Sequence, residues 1–208
     1  MTARPSSGKY YRFDSISVLV ADDNRFVRQI LVTVLKGLGV GKVLQAESGE
    51  EAQAIIDIQA QMGIDGKAVD MVFADHLMRP GDGLDLLQWC RAHERDSVRF
   101  VPFVMMSGEA DVKAVIDARD YGVTEYLAKP MSVTGVASRL LGIIDRPRPF
   151  VRTSDYFGPD RRRQSLPVNG GDRRMMATDD IRVFDETVMD DDDVPPPGTA
   201  LEEAADGR

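Results

Sequence analysis

The sequence predicts an α/β fold in which a doubly wound parallel sheet of five strands carries five helices on its two faces, followed by a largely disordered tail. Three observations carry this expectation. Short apolar runs alternate five times with stretches of helical periodicity within residues 1–145. Each run ends on a polar or charged residue, and beyond residue 145 the charge and proline content change abruptly. Alternation of this kind implies parallel pairing, because a parallel neighbour is reached only by a crossover, usually a helix.

The first run, Ile16-Ser17-Val18-Leu19-Val20-Ala21, is rich in β-branched residues and stops at two aspartates, as a strand buried on both faces does. Phe26, Val27, Ile30, Leu31, Val34, Leu35 and Leu38 then recur at helical spacing, and glycines at 37, 39 and 41 close that helix. Lys42-Val43-Leu44-Gln45-Ala46 is the second strand. A second helix opens at Ser48-Gly49-Glu50-Glu51 and runs to about Met62, with Ser48 as N-cap and Glu51 three residues on. The third strand covers Val69 to Ala74, and Leu84, Leu87 and Cys90 mark the helix after it. Pro102-Phe103-Val104-Met105-Met106 is the fourth strand, with a helix over about 110–120. Thr124-Glu125-Tyr126-Leu127-Ala128 is the fifth, and a last helix from Ser132 to about Ile144 aligns Val136, Leu140 and Ile143 on one face.

Composition bounds what such a chain does. Of 208 residues 43% are hydrophobic and 29% charged, with 26 basic against 34 acidic side chains and a net charge of -8. No apolar run approaches the roughly 20 residues of a membrane span, and the first residues lead into no apolar signal core. Neither a membrane nor a secreted protein is expected, and a cytoplasmic setting follows. The single cysteine, Cys90, has no partner for a disulfide, and with only His76 and His93 the chain lacks the ligands of a Cys/His zinc site. The negative balance argues against non-specific nucleic-acid binding by the whole chain.

Charge also divides the chain. Residues 1–145 carry 16 basic and 20 acidic side chains, residues 146–174 eight arginines against three aspartates, and residues 175–208 two arginines against eleven acids. The expected organisation is an extension over 1–13, a domain over 14–145 and a charged, proline-containing, mostly disordered tail over 146–208. The tail has neither the length nor the apolar content for a second folded domain, whether DNA-binding or enzymatic.

Chemistry enters at the carboxyl ends of the strands, where ligands of such sheets collect. Strand one ends at Asp22-Asp23, strand three at Asp75, strand four at Ser107 and strand five at Lys129. Three carboxylates in one crevice repel unless a cation lies among them. Magnesium suits this set, because it takes oxygen ligands and leaves positions open for a phosphoryl oxygen. A hydroxyl and an ammonium opposite complete a site for a tetrahedral anion, and the set describes an aspartate that takes up a phosphoryl group covalently.

Residues 14–145 resemble the receiver domain of two-component response regulators, the flavodoxin-like, CheY-like fold of His-Asp phosphorelay signalling. Five motifs in the family's order carry the resemblance: Val18-Leu19-Val20-Ala21-Asp22-Asp23-Asn24, Ala46-Glu47-Ser48-Gly49-Glu50-Glu51-Ala52, Asp75-His76-Leu77-Met78 with Gly83 eight residues past the aspartate, Met106-Ser107-Gly108, and Gly122-Val123-Thr124-Glu125-Tyr126-Leu127-Ala128-Lys129-Pro130. The resemblance implies that Asp75 is the phosphoacceptor, attacking the phosphohistidine of a kinase or phosphotransfer protein. It implies Mg2+ held by Asp22, Asp23, Asp75 and the backbone carbonyl of Leu77, with Asp22 acting mainly through water. Lys129 and Ser107 would serve the phosphoryl oxygens, Ser107 and Tyr126 would form the switch, and Pro130 would follow a cis bond that aims Lys129. The output implied is a shift of the face made by the fourth helix, fifth strand and fifth helix, where a downstream protein binds. Phosphorylation-dependent homodimerisation is a further expectation of the family. A receiver supports its own phosphoryl transfer and autodephosphorylation, and no separate enzyme domain is expected here.

The sequence departs from the family pattern in three places. Arg79 stands where the family commonly has proline, with Pro80 one position later, while Gly83 keeps its spacing. Ser107 replaces the commoner threonine and keeps the hydroxyl, and Met131 replaces an aromatic. Leu77 and Glu109 occupy positions at which family members tune the phosphoryl lifetime.

The segment from Pro149 to Arg163, with Tyr156, Phe157 and an arginine cluster, admits several readings: a solvated linker, a linear docking motif, an internal clamp on the receiver, or nucleic-acid contact by arginines with stacking aromatics. The leading functional expectation is a phosphorylation-switched signalling protein acting through protein–protein contact. The alternative is a nucleic-acid-binding regulator using 146–174 under receiver control. A phosphatase of the haloacid-dehalogenase type is disfavoured, because its two aspartates sit two apart, whereas Asp75 lies on a different strand from Asp22-Asp23.

Overall fold

The computed structural model describes residues 11–62, 69–108, 112–153 and 156–161. The elements below lie within one compact unit that begins at Phe13. They are β1 (Ser17–Ala21), α1 (Arg25–Gly37), β2 (Lys42–Ala46), α2 (Gly49–Met62), β3 (Met71–Asp75), α3 (Gly83–Ala92), a single turn α4 (Asp96–Arg99), β4 (Phe103–Ser107), α5 (Val112–Asp120), β5 (Glu125–Ala128), α6 (Val133–Asp145), and a hairpin of β6 (Phe150–Arg152) and β7 (Phe157–Pro159). Five strands form one sheet in the order β2-β1-β3-β4-β5, all paired in parallel. The fold class read from the sequence is the one observed.

Capping residues explain where the helices start. Asn24 accepts from the Phe26 and Val27 amides at 3.0 and 3.3 Å, so α1 is capped by Asn24 and the aspartates before it are spared for other work. Ser48 Oγ accepts from the Glu51 amide at 3.1 Å, as expected, while the Glu51 carboxylate accepts from the Glu47 amide at 2.7 Å. Asp82 and Asp85 form a reciprocal capping box on α3, and Ser132 accepts from the Gly135 amide at 3.0 Å to open α6. At the end of α1, Gly39 takes a φ of 92° and its amide reaches the Lys36 carbonyl at 3.0 Å.

The sheet core is Leu19, Val72, Ala74, Phe103 and Met105 with helix residues Ile56, Leu86, Leu87 and Cys90, all fully buried. Burial drives the Cys90 thiol up to about 12, so it is an inert core group. The buried face of α1 is Arg28, Leu31, Val32 and Leu35. This corrects the sequence reading, which placed Phe26 and Ile30 on that face; they are 82% and 56% exposed. Spacing alone admits two adjacent rows on this helix; the buried row is Arg28, Leu31, Val32 and Leu35, and the Arg28 guanidinium within it donates to the Asp22 carbonyl and to Glu47.

Two further corrections concern the second half. Residues 96–99 form a helical turn not expected from the sequence, so the fourth and fifth helices of the expectation are α5 and α6. The first part of the tail that was expected to be mostly disordered carries structure: over residues 146–153 and 156–161 the chain leaves α6, forms the β6–β7 hairpin and packs back on the domain. Phe150 is 4% exposed. It meets Phe100 edge-on at a centroid distance of 5.0 Å, and Phe157 meets the same ring at 5.2 Å. Arg91, buried in α3, donates to the carbonyls of Gly122, Arg99 and Val101 at 2.8–2.9 Å. Its guanidinium also stands 5.0 Å from the Phe150 ring centroid. Residues 1–10 of the expected extension and 162–208 of the expected tail lie outside the described residues, as does Glu109. Among the described residues no helix is long and apolar enough to cross a membrane.

Candidate functional site

Strand register brings the expected residues together. Ala21, the last residue of β1, pairs with Ala46 on one side and Ala74 on the other. Asp75 pairs with Met106 and Ser107 with Ala128. Asp22, Asp23, Asp75, Ser107 and Lys129 therefore converge at one end of the sheet, beside the point between β1 and β3 where strand order reverses. Asp22, Asp23 and Asp75 each offer a carboxylate oxygen, and these oxygens lie within 4.8 Å of one another.

Lys129 ties the acids together. Its Nζ donates to Asp22 Oδ2 at 2.7 Å and forms an ion pair with Asp75 Oδ2 at 2.9 Å. The Lys129 amide bonds the Ser107 carbonyl at 2.7 Å, fixing where the side chain leaves β5, and the Lys129–Pro130 bond is cis as expected. Asp22 is fully buried and its Oδ1 accepts from the Asn24 amide at 2.9 Å, so both of its oxygens are engaged. Asp23 is exposed at the rim.

The Asp75 carboxyl is held above its ordinary range, chiefly by burial and secondarily by Asp22 and Asp23, while the Lys129 hydrogen bond and charge pull the other way. Three oxygen donors of one sign in a half-closed crevice with a single ammonium match the preference of a hard divalent cation.

The loop after Asp75 carries the displaced proline. Met78 turns into the core, Leu77 is 66% exposed, and both Arg79–Pro80 and the following glycine depart from ordinary backbone: the bond is cis and Gly81 has φ 72°. The Gly81 carbonyl accepts from the Gly49 amide at 3.0 Å, so the loop rests on the start of α2. Gly83 then lets α3 pass against the end of β3, where a Cβ would lie 2.1 Å from the Asp75 carbonyl oxygen.

Ser107 is buried at the end of β4. Tyr126 packs against the core, and its buried hydroxyl has no hydrogen-bond partner among the described residues. An unsatisfied buried hydroxyl is costly, so Tyr126→Phe is expected to raise folding stability by about 1 kcal/mol. A higher urea midpoint at unchanged slope would show it, and a lower midpoint would mean the hydroxyl is satisfied after all. The His76 amide extends the sheet to the Met106 carbonyl at 2.7 Å, and the His93 ring bridges to Asp57 at 3.1 Å.

Sequence reasoning missed Arg28. It is buried in α1, donates to the Asp22 carbonyl and to Glu47, and so holds the acidic turn from behind. Its signal was present, since Arg28, Leu31, Val32 and Leu35 stand at i, i+3, i+4 and i+7.

Comparison with known proteins decides the family. A family model described as the response regulator receiver domain matches residues 18–140. The chain belongs to this family. It thereby belongs to two-component signalling. The receiver is 32% identical over 117 residues to the chemotaxis protein CheY1 of Helicobacter pylori strain J99, covering 56% of this chain and 87% of that protein. It is 25% identical over 167 residues to the transcriptional regulatory protein GltR of Pseudomonas aeruginosa, covering 80% of this chain and 57% of that one. The chain thus spans little more than half the length of GltR. Among solved structures, a putative response regulator from Chloroflexus aurantiacus superimposes with a TM-score of 0.56 at 30% identity, over 63% of this chain and 98% of the other. A receiver protein from Pseudomonas putida gives 0.52 at 30%, over 64% and 98%.

Proposed function

We propose that this receiver takes a phosphoryl group onto Asp75 from the phosphohistidine of a kinase or phosphotransfer protein, with Mg2+, and signals by phosphorylation-dependent protein contact. The single observation that carries the reading is Lys129 Nζ bridging Asp22 and Asp75 at 2.7 and 2.9 Å, with Asp23 beside them. In the transfer an Asp75 carboxylate oxygen attacks phosphorus. The bond from phosphorus to the donor's imidazole nitrogen breaks, and the electron pair leaves with the imidazole. Lys129 has its ammonium already aimed at the reacting carboxylate, so it can follow the negative charge onto the phosphoryl oxygens without a large excursion. Ser107, one strand away, supplies a hydroxyl to the same oxygens.

Asp22, Asp23, Asp75 and the Leu77 carbonyl are the residues that would hold magnesium, which when bound offsets the repulsion between carboxylate and incoming phosphoryl group. Arg28 acts through Asp22 and is a positioning residue. The exposed Phe26, in the first turn of α1, and Leu77, two residues past Asp75, leave apolar surface beside the site for a phosphodonor protein.

The output face is α5, β5 and α6, with Tyr126 and Ser107 as the switching pair. A domain over 14–145, closed by the hairpin, is the unit that switches. Arg148 and Arg161 are bound to the receiver itself, which favours protein contact over nucleic-acid contact by this part of the segment.

Incubation of the full chain with acetyl phosphate and magnesium, followed by intact mass, tests the reading. One phosphoryl group is expected with magnesium and none with excess chelator. Uptake that ignores the chelator would remove the metal from the scheme.

A further inference from the structure

The β6–β7 hairpin grips the three elements that form the output face, at the end opposite Asp75. Arg161 donates to the Asp120 carbonyl at 3.1 Å and pairs with its carboxylate at 3.1 Å, holding the last residue of α5. The same guanidinium lies 3.9 Å over the Tyr156 ring, and the Tyr156 hydroxyl closes the hairpin on the Pro159 carbonyl at 2.7 Å. Arg148 donates to the Thr124 carbonyl at 3.2 Å, just ahead of β5, and to the Asp160 carbonyl. Backbone meets backbone at the α5–β5 turn. Gly122 has φ 86°, a Cβ on it would lie 2.7 Å from the Phe157 carbonyl oxygen, and one on Gly158 would lie 2.6 Å from the Gly122 Cα. The hairpin itself continues directly from the end of α6. The end of α5, the entry to β5 and the end of α6 are thus joined through one short segment.

These contacts coexist with Lys129 Nζ paired to both Asp22 and the Asp75 carboxylate, a pairing that the proposed transfer onto Asp75 would move to the phosphoryl oxygens. A contact made in one state of a two-state element stabilises that state, and coupling between two sites is reciprocal. We propose that the β6–β7 hairpin, with Arg148 and Arg161 at its two ends, is a built-in brake on the receiver: it holds α5, β5 and α6 in the unphosphorylated arrangement, phosphorylation loosens it, and its removal makes the phosphorylated arrangement easier to reach. The proposal rests on the Asp75 reading above. It assigns the segment a task that a solvated linker does not have. Aromatic packing of Phe100, Phe150 and Phe157 supplies the grip, and the Arg161–Asp120 pair places it on α5.

The test uses beryllofluoride, a tetrahedral mimic of the bound phosphoryl group, titrated into the full chain in saturating magnesium with affinity read by calorimetry. Arg161→Ala and Phe157→Ala are each expected to bind it about fivefold or more tightly than wild type, the lower end of usual coupling strengths. In wild type, beryllofluoride is expected to speed amide hydrogen exchange in Phe150–Arg152 and Phe157–Gly158. Arg161→Ala removes contacts at a partly exposed side chain and keeps the test open if Phe157→Ala fails to fold. Affinity unchanged or weakened in the folded variants, or exchange unchanged or slowed in wild type, overturns the brake and leaves the Asp75 reading standing. A wild type that does not bind beryllofluoride removes the Asp75 reading, and the brake with it.

Discussion

Gly83→Ala is expected to cost the receiver about 3 kcal/mol of folding stability, at the upper end for forcing an extra methyl into a packed site. The added Cβ would lie 2.1 Å from the Asp75 carbonyl oxygen, 3.0 Å from the Asp75 carbonyl carbon and 2.9 Å from Met105 Sδ. The methionine can swing aside, but the carbonyl belongs to the end of β3 and cannot. Relief requires α3 to move off the sheet, breaking the bond from the Gly83 amide to the His76 carbonyl at 3.1 Å. Because the strain falls on Asp75 itself, phosphoryl uptake should fall with stability. Urea unfolding followed by circular dichroism measures the first effect, and intact mass after acetyl phosphate the second. A variant of wild-type stability would mean that α3 does not approach Asp75 as described.

The second large effect is expected at Lys129. Lys129→Met keeps the stem and removes the charge, leaving Asp22 and Asp75 facing one another with no cation between them. Breaking a buried pair by removing one partner costs about 3 kcal/mol or more, because the charges left behind are neither solvated nor paired. The loss should be greatest at neutral pH without divalent ions. The Asp75 carboxyl already sits above its ordinary value of 3.8 in the folded protein, and removing Lys129 removes the two influences that lower it. A carboxyl whose folded value lies above its unfolded one is relatively stabilising when protonated. Stability is therefore lost as pH rises through the folded value and returns as pH falls. Millimolar magnesium should restore much of the loss at pH 7, since it replaces the missing positive charge, while phosphoryl uptake stays impaired. Thermal unfolding across pH, with and without magnesium, checks the pattern. A Lys129→Met protein insensitive to both would contradict the electrostatic account.

Most of the fold could be read in the sequence because the three central strands are compact runs whose residues are buried on both faces, as at Val18 to Ala21 and Phe103 to Met106. The site was legible for a related reason. A parallel sheet puts all strand carboxyl ends on one side, so the residue after each run is enough to assemble Asp22, Asp75, Ser107 and Lys129. What escaped the reading depends on contacts distant in sequence. Phe26 and Ile30 share the helical spacing of the buried residues of α1, and which row is buried depends on what the sheet and its flanking loops present to the helix, including the Asp22 carbonyl and Glu47 that Arg28 meets. The hairpin was hidden because it contributes only half of its own core. Phe150 and Phe157 look too sparse for a folded element until Phe100, Arg91 and Gly122, from three other parts of the chain, are placed beneath them. Counting consecutive apolar residues in the segment cannot detect a surface supplied by the domain it lands on.

The most direct test of the central claim is intact-protein mass after incubation with magnesium and acetyl phosphate, comparing wild type with Asp75→Asn and Asp23→Asn. One phosphoryl group is expected on wild type, none on Asp75→Asn, and reduced uptake on Asp23→Asn that more magnesium partly recovers. A phosphoryl group on Asp75→Asn at the wild-type level would contradict it, since the acceptor would then lie elsewhere in the chain.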